Sequence, residues 1–306
     1  MKYLKLIRYQ NLLMLAFMQL VFRYGFIKFQ NIPLALNDFQ YLLLVTSTVL
    51  LAAGGYVINN IFDQDTDAVN KPNNAIVGKN ISEAKAYNIY VALTCIGVGN
   101  GFYLSNVIQK PGFASVFILI AATLYFYATS LKQMILLGNI IVALLLAFSV
   151  VIIGIFDLYP VTYVGNQQEM ALIFSIILDY ALFTFILNFI REIVKDLEDV
   201  SGDYSQGMNT LPIAIGISRT SKIVFTVSFI PIAAIVFYIN NYLFQLQFVT
   251  LYLMLFVLGP LLYFTLKIWT AKTKNDFHKL SVLLKWILLF GIISIVVITI
   301  NMKYNA

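Results

Sequence analysis

"QYLLLVTSTVLLAAGGYVINNIFDQDTDAVNKPNN", Gln40 to Asn74, begins as an apolar run and ends as a polar one. Its first half carries no charge over about twenty residues, the length an α-helix needs to cross the hydrocarbon core of a bilayer. Asp63, Asp65 and Asp67 then follow within five positions. Carboxylates close to lipid are costly, so the stretch reads as a spanning helix whose acidic end needs a purpose.

Similar apolar stretches begin near Asn11, Ala84, Gly112, Met134, Glu169, Thr220, Phe248 and Ser281, making nine with the one at Gln40. The chain is 60% hydrophobic and 11% charged, where soluble domains carry about 25% charged residues. The expected fold class is all-α, a polytopic membrane protein of about nine transmembrane helices in a single domain over residues 1–306. A short polar break, Ser130 to Gln133, parts the fourth stretch from the fifth. The start, "MKYLKLIRYQNLLMLAFMQL", is basic and then apolar, with no small-residue cleavage site after it, and reads as the first spanning helix.

In a nine-helix topology all of the twenty Lys and Arg except Arg23, Lys28, Lys110 and Lys303 fall on one side. That asymmetry places the N-terminus in the cytoplasm and the C-terminus outside. The net charge of +6 is then a topology signal, and no nucleic-acid partner is expected. Cys95 lies in an apolar run and His278 in a basic loop, so neither a disulfide nor a thiolate site is available within the chain. Any metal would have to use oxygen ligands.

Eight acids fall in two segments, Asp63, Asp65 and Asp67 after the second stretch, and Glu192, Asp196, Glu198, Asp199 and Asp203 after the sixth. Each of those stretches is the second member of a set of four, which hints at a duplicated four-helix unit with a ninth helix added. At helical spacing Asn59, Asp63 and Asp67 share one face, as do Glu192, Asp196, Asp199 and Asp203 provided that Gly202 does not end the helix. Asp65 points off the first face. Like charges so arranged repel, and a hard divalent cation relieves the repulsion. Mg²⁺ typically takes one or two carboxylates together with substrate phosphate oxygens. The bland alternative is a pair of solvated acidic loops.

These residues carry a specific resemblance. "NNIFDQDTD", Asn59 to Asp67, resembles the N-D-x-x-D-x-x-x-D motif of the UbiA superfamily of intramembrane prenyltransferases, and Asp196 to Asp203 resembles its second aspartate-rich motif. "REIVKDLEDVSGDYSQGMNTLPI", Arg191 to Ile213, resembles the same segment in the digeranylgeranylglyceryl phosphate synthase branch, with parts shared by quinone-pathway members. Asn60 departs from the usual aspartate, Asn74 stands where many relatives are basic, and Ala75 where proline is common.

The resemblance implies a UbiA-like prenyltransferase bundle that transfers an isoprenyl group, with Mg²⁺ as cofactor, from an allylic isoprenyl diphosphate donor to a lipophilic acceptor. The expected acceptor is a prenylated glycerol phosphate, as in ether lipid synthesis, with an aromatic quinone precursor as runner-up. It implies metal ligation by Asn59, Asp63, Asp67, Asp196, Asp199 and Asp203. Lys132 and Tyr127, in "YFYATSLKQ", correspond to a diphosphate-contacting lysine and a residue near the reacting carbon. Asn11 corresponds to an acceptor-pocket position, while Lys71 or Lys79 could replace the cation missing at Asn74. Lys71, Arg191 and Lys195 are further substrate-binding candidates, with pairing to the acids beside them as the alternative for Arg191 and Lys195. The implied location is the inner membrane of a bacterial or archaeal cell, with the site loops cytoplasmic.

Asp179 lies mid-span in "MALIFSIILDYALFTFILNF", where an ionisable group is a functional candidate. An acceptor-binding role and a structural acid, protonated or bonded to Asn188, are the two readings. The aromatic content of 15% could line an isoprenyl tunnel. From a different class, an ion-coupled secondary transporter would place its acids near the bilayer midplane, where of these acids only Asp179 lies.

Overall fold

The structure is a computed structural model that describes residues 2–70 and 76–304. Among the described residues fourteen α-helices succeed one another: α1 (Lys2–Leu6), α2 (Tyr9–Gly25), α3 (Asp38–Phe62), α4 (Gln64–Asn70), α5 (Glu83–Val107), α6 (Ala114–Thr129), α7 (Leu137–Ile153), α8 (Gln167–Ser205), α9 (Leu211–Ile215), α10 (Ile217–Val227), α11 (Phe229–Tyr238), α12 (Gln247–Leu253), α13 (Gly259–Thr270) and α14 (Lys274–Tyr304). Among the described residues the only extended pairing is an isolated bridge between Val77 and Ile81.

Short 3₁₀ and π turns prolong α2, α7 and α11, and a π turn joins α12 to α13. Eight continuous helical segments of the described chain are thereby long and apolar enough to cross a membrane: Tyr9–Gln30, Asp38–Phe62, Pro111–Thr129, Leu137–Val161, Gln167–Ser205, Ile217–Leu243, Gln247–Thr270 and Lys274–Tyr304. The protein is a multi-pass integral membrane protein. The stretch expected near Ala84 forms α5, whose 25 residues are also long enough. Asn88, Thr94, Asn100, Ser105 and Asn106 leave it more polar than the eight.

The chain divides into two compact units. The first comprises Met1–Gln19, Pro33–Gly138 and Phe148–Leu178. Here α3 opens on a capping box, in which the Asn37 side chain accepts from the Gln40 amide and the Gln40 side chain accepts from the Asn37 amide, both at 2.9 Å. The helix packs against α5 and α6. The approach of α5 and α6 is close at Gly101, where a Cβ would stand 2.2 Å from the Phe117 ring.

The far end of α3 rests on an apolar cluster of Leu6, Val57, Ile58, Ile61, Ile76, Val77, Ile81, Ala86 and Ala128. Full burial of each large aliphatic side chain contributes about 1.5–3 kcal/mol, so this end of the helix is firmly held. The turn from Ile76 to Ile81 that completes the cluster needs a left-handed residue, supplied by Gly78 at φ +82°.

The second unit comprises Leu20–Ile32, Asn139–Ala147 and Asp179–Ala306. Within it α13 packs on α10 and α14 through buried Leu261, Phe264 and Ile268, and the Ser228 and Thr265 hydroxyls hydrogen-bond at 2.8 Å. With 39 residues, α8 is roughly 58 Å long at 1.5 Å per residue, about twice the hydrocarbon thickness of ~30 Å. Its C-terminal turns therefore reach past the apolar run and carry the second acidic segment. Gly202 does not end the helix, which continues to Ser205, so all four acids of that face stand on one uninterrupted rod.

Candidate active site

The first acidic arm forms where α3 gives way to α4. Asp63 leaves helical geometry at φ −97° and ψ 8°, yet the ladder runs on through it. The Asp63 amide donates to the Asn59 carbonyl at 2.9 Å and the Asp67 amide to the Asp63 carbonyl at 2.8 Å. Asn59, Asp63 and Asp67 thus keep their helical offsets across the break. Asp65 is exposed, and Asn60 turns away, donating to the Tyr56 carbonyl at 2.7 Å and the Leu6 carbonyl at 3.3 Å. That hydrogen bonding makes Asn60 a tie between α3 and α1.

Lys132 lies on a 3₁₀ turn, Leu131–Gln133, just beyond α6. Its ammonium pairs with Asp63 Oδ1, while the Asn59 amide donates to Asp63 Oδ2. The Lys132 and Asp63 side chains are only 9% and 16% exposed, so the pair is held largely out of water, where its attraction is stronger than at a surface. Asn59 Oδ1 is buried and accepts no hydrogen bond from the described residues. A buried carbonyl oxygen in that state is costly, and a hard cation is one partner that would satisfy it.

Tyr127 sits half-buried on the last turn of α6. Asn11 donates to the Tyr56 hydroxyl at 3.2 Å, and the Arg8 guanidinium lies over the Tyr56 ring, 5.2 Å from its centroid. Tyr56 is three residues ahead of Asn59 on α3, so Asn11 and Arg8 meet the helix one turn from the acidic arm. Lys71 and the departures at Asn74 and Ala75 lie outside the described residues.

The second arm lies on α8. Asp196 Oδ2 accepts from the Asn139 side chain at 2.8 Å, and Asn139 is itself buried near the start of α7. Glu192 and Asp203 are buried and Asp199 is half-buried. Arg191 and Lys195 both turn to Glu192, at 3.7 Å and 2.5 Å, and Arg191 also donates to the Ser281 carbonyl at 3.3 Å. Glu198 points off this face to His278, 3.0 Å away.

Asp179 does not bond to Asn188. The Asn188 side chain caps the Thr184 carbonyl at 2.8 Å, one turn up its own helix, whereas Asp179 accepts from the Tyr238 hydroxyl at 3.0 Å. An amide in a membrane helix finds a carbonyl four residues back more readily than an acid nine residues away.

Among the described residues no three His, Cys, Asp or Glu side chains form a ready-made metal cage. Mg²⁺ keeps waters and substrate phosphate oxygens in its shell and takes one or two carboxylates from a protein. The donor set is all oxygen, and the buried Asn59 Oδ1 is an acceptor that such an ion would satisfy.

Three contributors escaped the sequence. Asn139 carried no signal, as an asparagine at a helix start is ordinary. Arg8 read only as a topology charge. Gly138 matters because a Cβ there would stand 2.9 Å from the Lys132 Cα and 3.3 Å from the Leu131 carbonyl oxygen; its bare backbone lets the lysine turn pack against the first turn of α7.

The fold is that of a UbiA-type intramembrane helical bundle. The model of the UbiA prenyltransferase family matches residues 29–302, and the chain belongs to that family. It is 34% identical to the digeranylgeranylglyceryl phosphate synthase of Sulfurisphaera tokodaii over 189 residues, 60% of this chain and 62% of that protein. To the enzyme of that name from Korarchaeum cryptofilum it is 35% identical over 187 residues, 60% of this chain and 59% of that one. The chain thus spans about three fifths of the length of these two relatives. With the Saccharolobus solfataricus digeranylgeranylglyceryl phosphate synthase it shares 31% identity over 248 residues, 80% of this chain and 79% of the relative. In fold it resembles an apo UbiA homolog from Aeropyrum pernix K1, with a TM-score of 0.67 at 16% identity over 96% of this chain and 98% of that one. It also resembles a UbiA homolog from Archaeoglobus fulgidus bound to DMAPP and Mg²⁺, with a TM-score of 0.59 at 16% identity over 96% and 99% of the two chains.

Proposed function

We propose that this protein is a Mg²⁺-dependent prenyltransferase that moves an isoprenyl group from an allylic diphosphate to a prenylated glycerol phosphate, an ether-lipid-forming step. The observation that carries the reading is the Asn59–Asp63–Lys132 constellation, in which an ammonium drawn from 69 positions away sits on the acid beside a buried, unsatisfied amide oxygen. The synthase identity of three relatives at 31–35% supports the acceptor class.

In this reading the whole chain is one prenyltransferase domain. Asn59, Asp63 and Asp67 supply one set of oxygen ligands, and Asp196, Asp199 and Asp203 the other. Mg²⁺, when bound, neutralises charge that develops on the leaving diphosphate. Asp63 takes one of the three N–H donors of Lys132, and the others are available to diphosphate oxygens. Their attraction to the leaving group grows as its charge develops, and a dry site magnifies it. Asn139 holds the Asp196 carboxylate in place by its hydrogen bond. Tyr127 flanks the lysine turn and serves the reacting carbon, Asn11 belongs to the acceptor pocket, and Lys71, Arg191 and Lys195 provide further positive charge for the substrates. The allylic C–O bond to diphosphate breaks, the acceptor hydroxyl oxygen takes the prenyl carbon, and its proton leaves with the diphosphate. No protein nucleophile is needed.

The site faces the cytoplasm of a bacterial or archaeal cell, by the distribution of Lys and Arg. The test supplies purified protein in nanodiscs with geranylgeranyl diphosphate, Mg²⁺ and either geranylgeranylglyceryl phosphate or a panel of aromatic acids. Prenyl transfer to the glycerol phosphate, abolished by EDTA and restored by Mg²⁺, is expected. Transfer to an aromatic acid alone would refute the acceptor, and ion-driven uptake without any prenylated product would replace the enzyme with a transporter.

A further inference from the structure

Within the second unit lies a cavity of about 300 Å³ that the prenyl-transfer reading leaves unused. Its lining is mostly apolar, with Phe183, Ile186, Leu253 and Val257 in it, and its polar members are the hydrogen-bonded pair Asp179 and Tyr238 together with Tyr180, Tyr242 and Ser294. A volume of that order is at the lower end of small-molecule sites and holds on the order of ten methylene- or water-sized units at ~30 Å³ each.

The position separates it from the second acidic arm. Asp179 and Asp196 stand on the same uninterrupted helix, and seventeen residues at 1.5 Å each put them ~26 Å apart along its axis. That is most of a hydrocarbon thickness, so nothing held at Asp179 has its polar end at the second arm, and Asp179 is not at the acceptor's reacting end.

The chemistry of the polar lining selects the occupant. Ser294 donates to the Gly291 carbonyl at 2.6 Å, so the Tyr180 hydroxyl, 2.7 Å from Ser294, is the donor in that pair and both are satisfied. The Asp179 carboxyl group differs. Tyr238 provides one of the roughly four hydrogen bonds that a carboxylate can accept. A purely apolar tail laid against it would desolvate the acid with nothing in return. A phosphate head would meet an acid and no lysine or arginine, since none lines the cavity. A hydroxyl donates to Asp179 and reaches the Tyr238 oxygen as well.

The geometry points to a second lipid site, one that binds an uncharged alcohol on an aliphatic chain, with its hydroxyl on Asp179 and Tyr238 and about ten carbons in the cavity. An isoprenoid alcohol and the free hydroxyl of a glycerolipid both present this chemistry. The site is independent of the prenyl-transfer reading.

The experiment labels full-length protein in nanodiscs with a diazirine derivative of geraniol and locates adducts by peptide mass spectrometry. Adducts are expected in the segments around Asp179–Ile186 and Ala234–Tyr242, competed by geraniol and not by geranyl phosphate. Competition by monodecanoylglycerol as well assigns the site to lipid alcohols generally, and its failure to compete assigns it to isoprenoid alcohols. Asp179→Leu is expected to weaken capture about tenfold, the effect of one lost hydrogen bond. Gly291→Leu fills the cavity from a position where a Cβ makes only an ordinary 3.4 Å contact with Phe183, and it should abolish capture while leaving the polar pair intact. Adducts elsewhere only, equal competition by geranyl phosphate, competition by decylamine in place of the alcohols, or capture unchanged in both variants overturns the proposal. Prenyl transfer measured on the same preparations fails or survives separately, so either proposal can fall without the other.

Discussion

Gly138→Ala adds one carbon to the protein, and the structure says where it goes. The new Cβ stands 2.9 Å from the Lys132 Cα and 3.3 Å from the Leu131 carbonyl oxygen. Contacting carbons sit at about 3.5–4.0 Å, so the Leu131–Gln133 turn must retreat by roughly 0.6–1 Å. Backbone is what it meets, so no flexible side chain can yield in its place. The retreat draws the Lys132 ammonium off Asp63. Overpacking strain of about 1–3 kcal/mol is partly offset by the ~0.5–1 kcal/mol that alanine gains over glycine in a helix, so the loss of stability stays modest. Catalysis is far less tolerant, because a shift near 1 Å in a positioned group costs up to ~100-fold. The assay is the rate of prenyl transfer at saturating substrates, beside a thermal melt in detergent. We expect a fall in kcat of roughly 10- to 100-fold with a Tm lowered by at most a few degrees. In a Lys132→Met background the same alanine should cost almost nothing, because its route of action is gone. A wild-type rate in the single variant, or an equal fold-loss in both backgrounds, would refute the reasoning.

Other perturbations separate the arms from their scaffold. Asp63→Asn removes the partner of a lysine that is only 9% exposed, so stability should fall by as much as ~3–5 kcal/mol, and Mg²⁺-dependent diphosphate release should be lost even in the folded fraction. Retained release in that variant would remove Asp63 from the metal site. Asn139→Leu deletes the 2.8 Å hydrogen bond to Asp196; a residue that orients a ligand is typically worth roughly 10- to 100-fold in metal affinity or activity, read as the Mg²⁺ concentration giving half-maximal rate. An unchanged Mg²⁺ dependence would leave Asn139 as packing alone. Asn37→Ala breaks the α3 capping box and should cost about 1 kcal/mol in unfolding with kcat intact; a change in kcat would show that the cap reaches the site.

Much of the fold was legible in the sequence because lipid imposes a length and a polarity on every spanning helix. The break at Ser130 to Gln133 falls where α6 ends and the turn before α7 begins, since polar residues interrupt an apolar run visibly. The third stretch was legible too, although α5 is too polar to stand with the other eight. The first arm could be read at Asn59, Asp63 and Asp67 because the helical offset persists through the irregular Asp63. The second could be read because Gly202 sits within α8 without breaking it.

The features legible in the sequence are local: which segments are helices, which acids share a face, and which departures from the motif point away from it, as Asn60 does. Likeness implied only that Lys132 contacts the diphosphate; its pairing with Asp63, and the geometry that permits it, were not visible at all. Gly138 acts through an absent methyl group, Asn139 through one hydrogen bond to a residue 57 positions on, and the cavity beside Asp179 through the meeting of four separate helices, α8, α11, α12 and α14, with the π turns that flank α12. The first is a close backbone approach across one turn and the other two join segments remote in sequence, and no periodicity along a single helix encodes any of them.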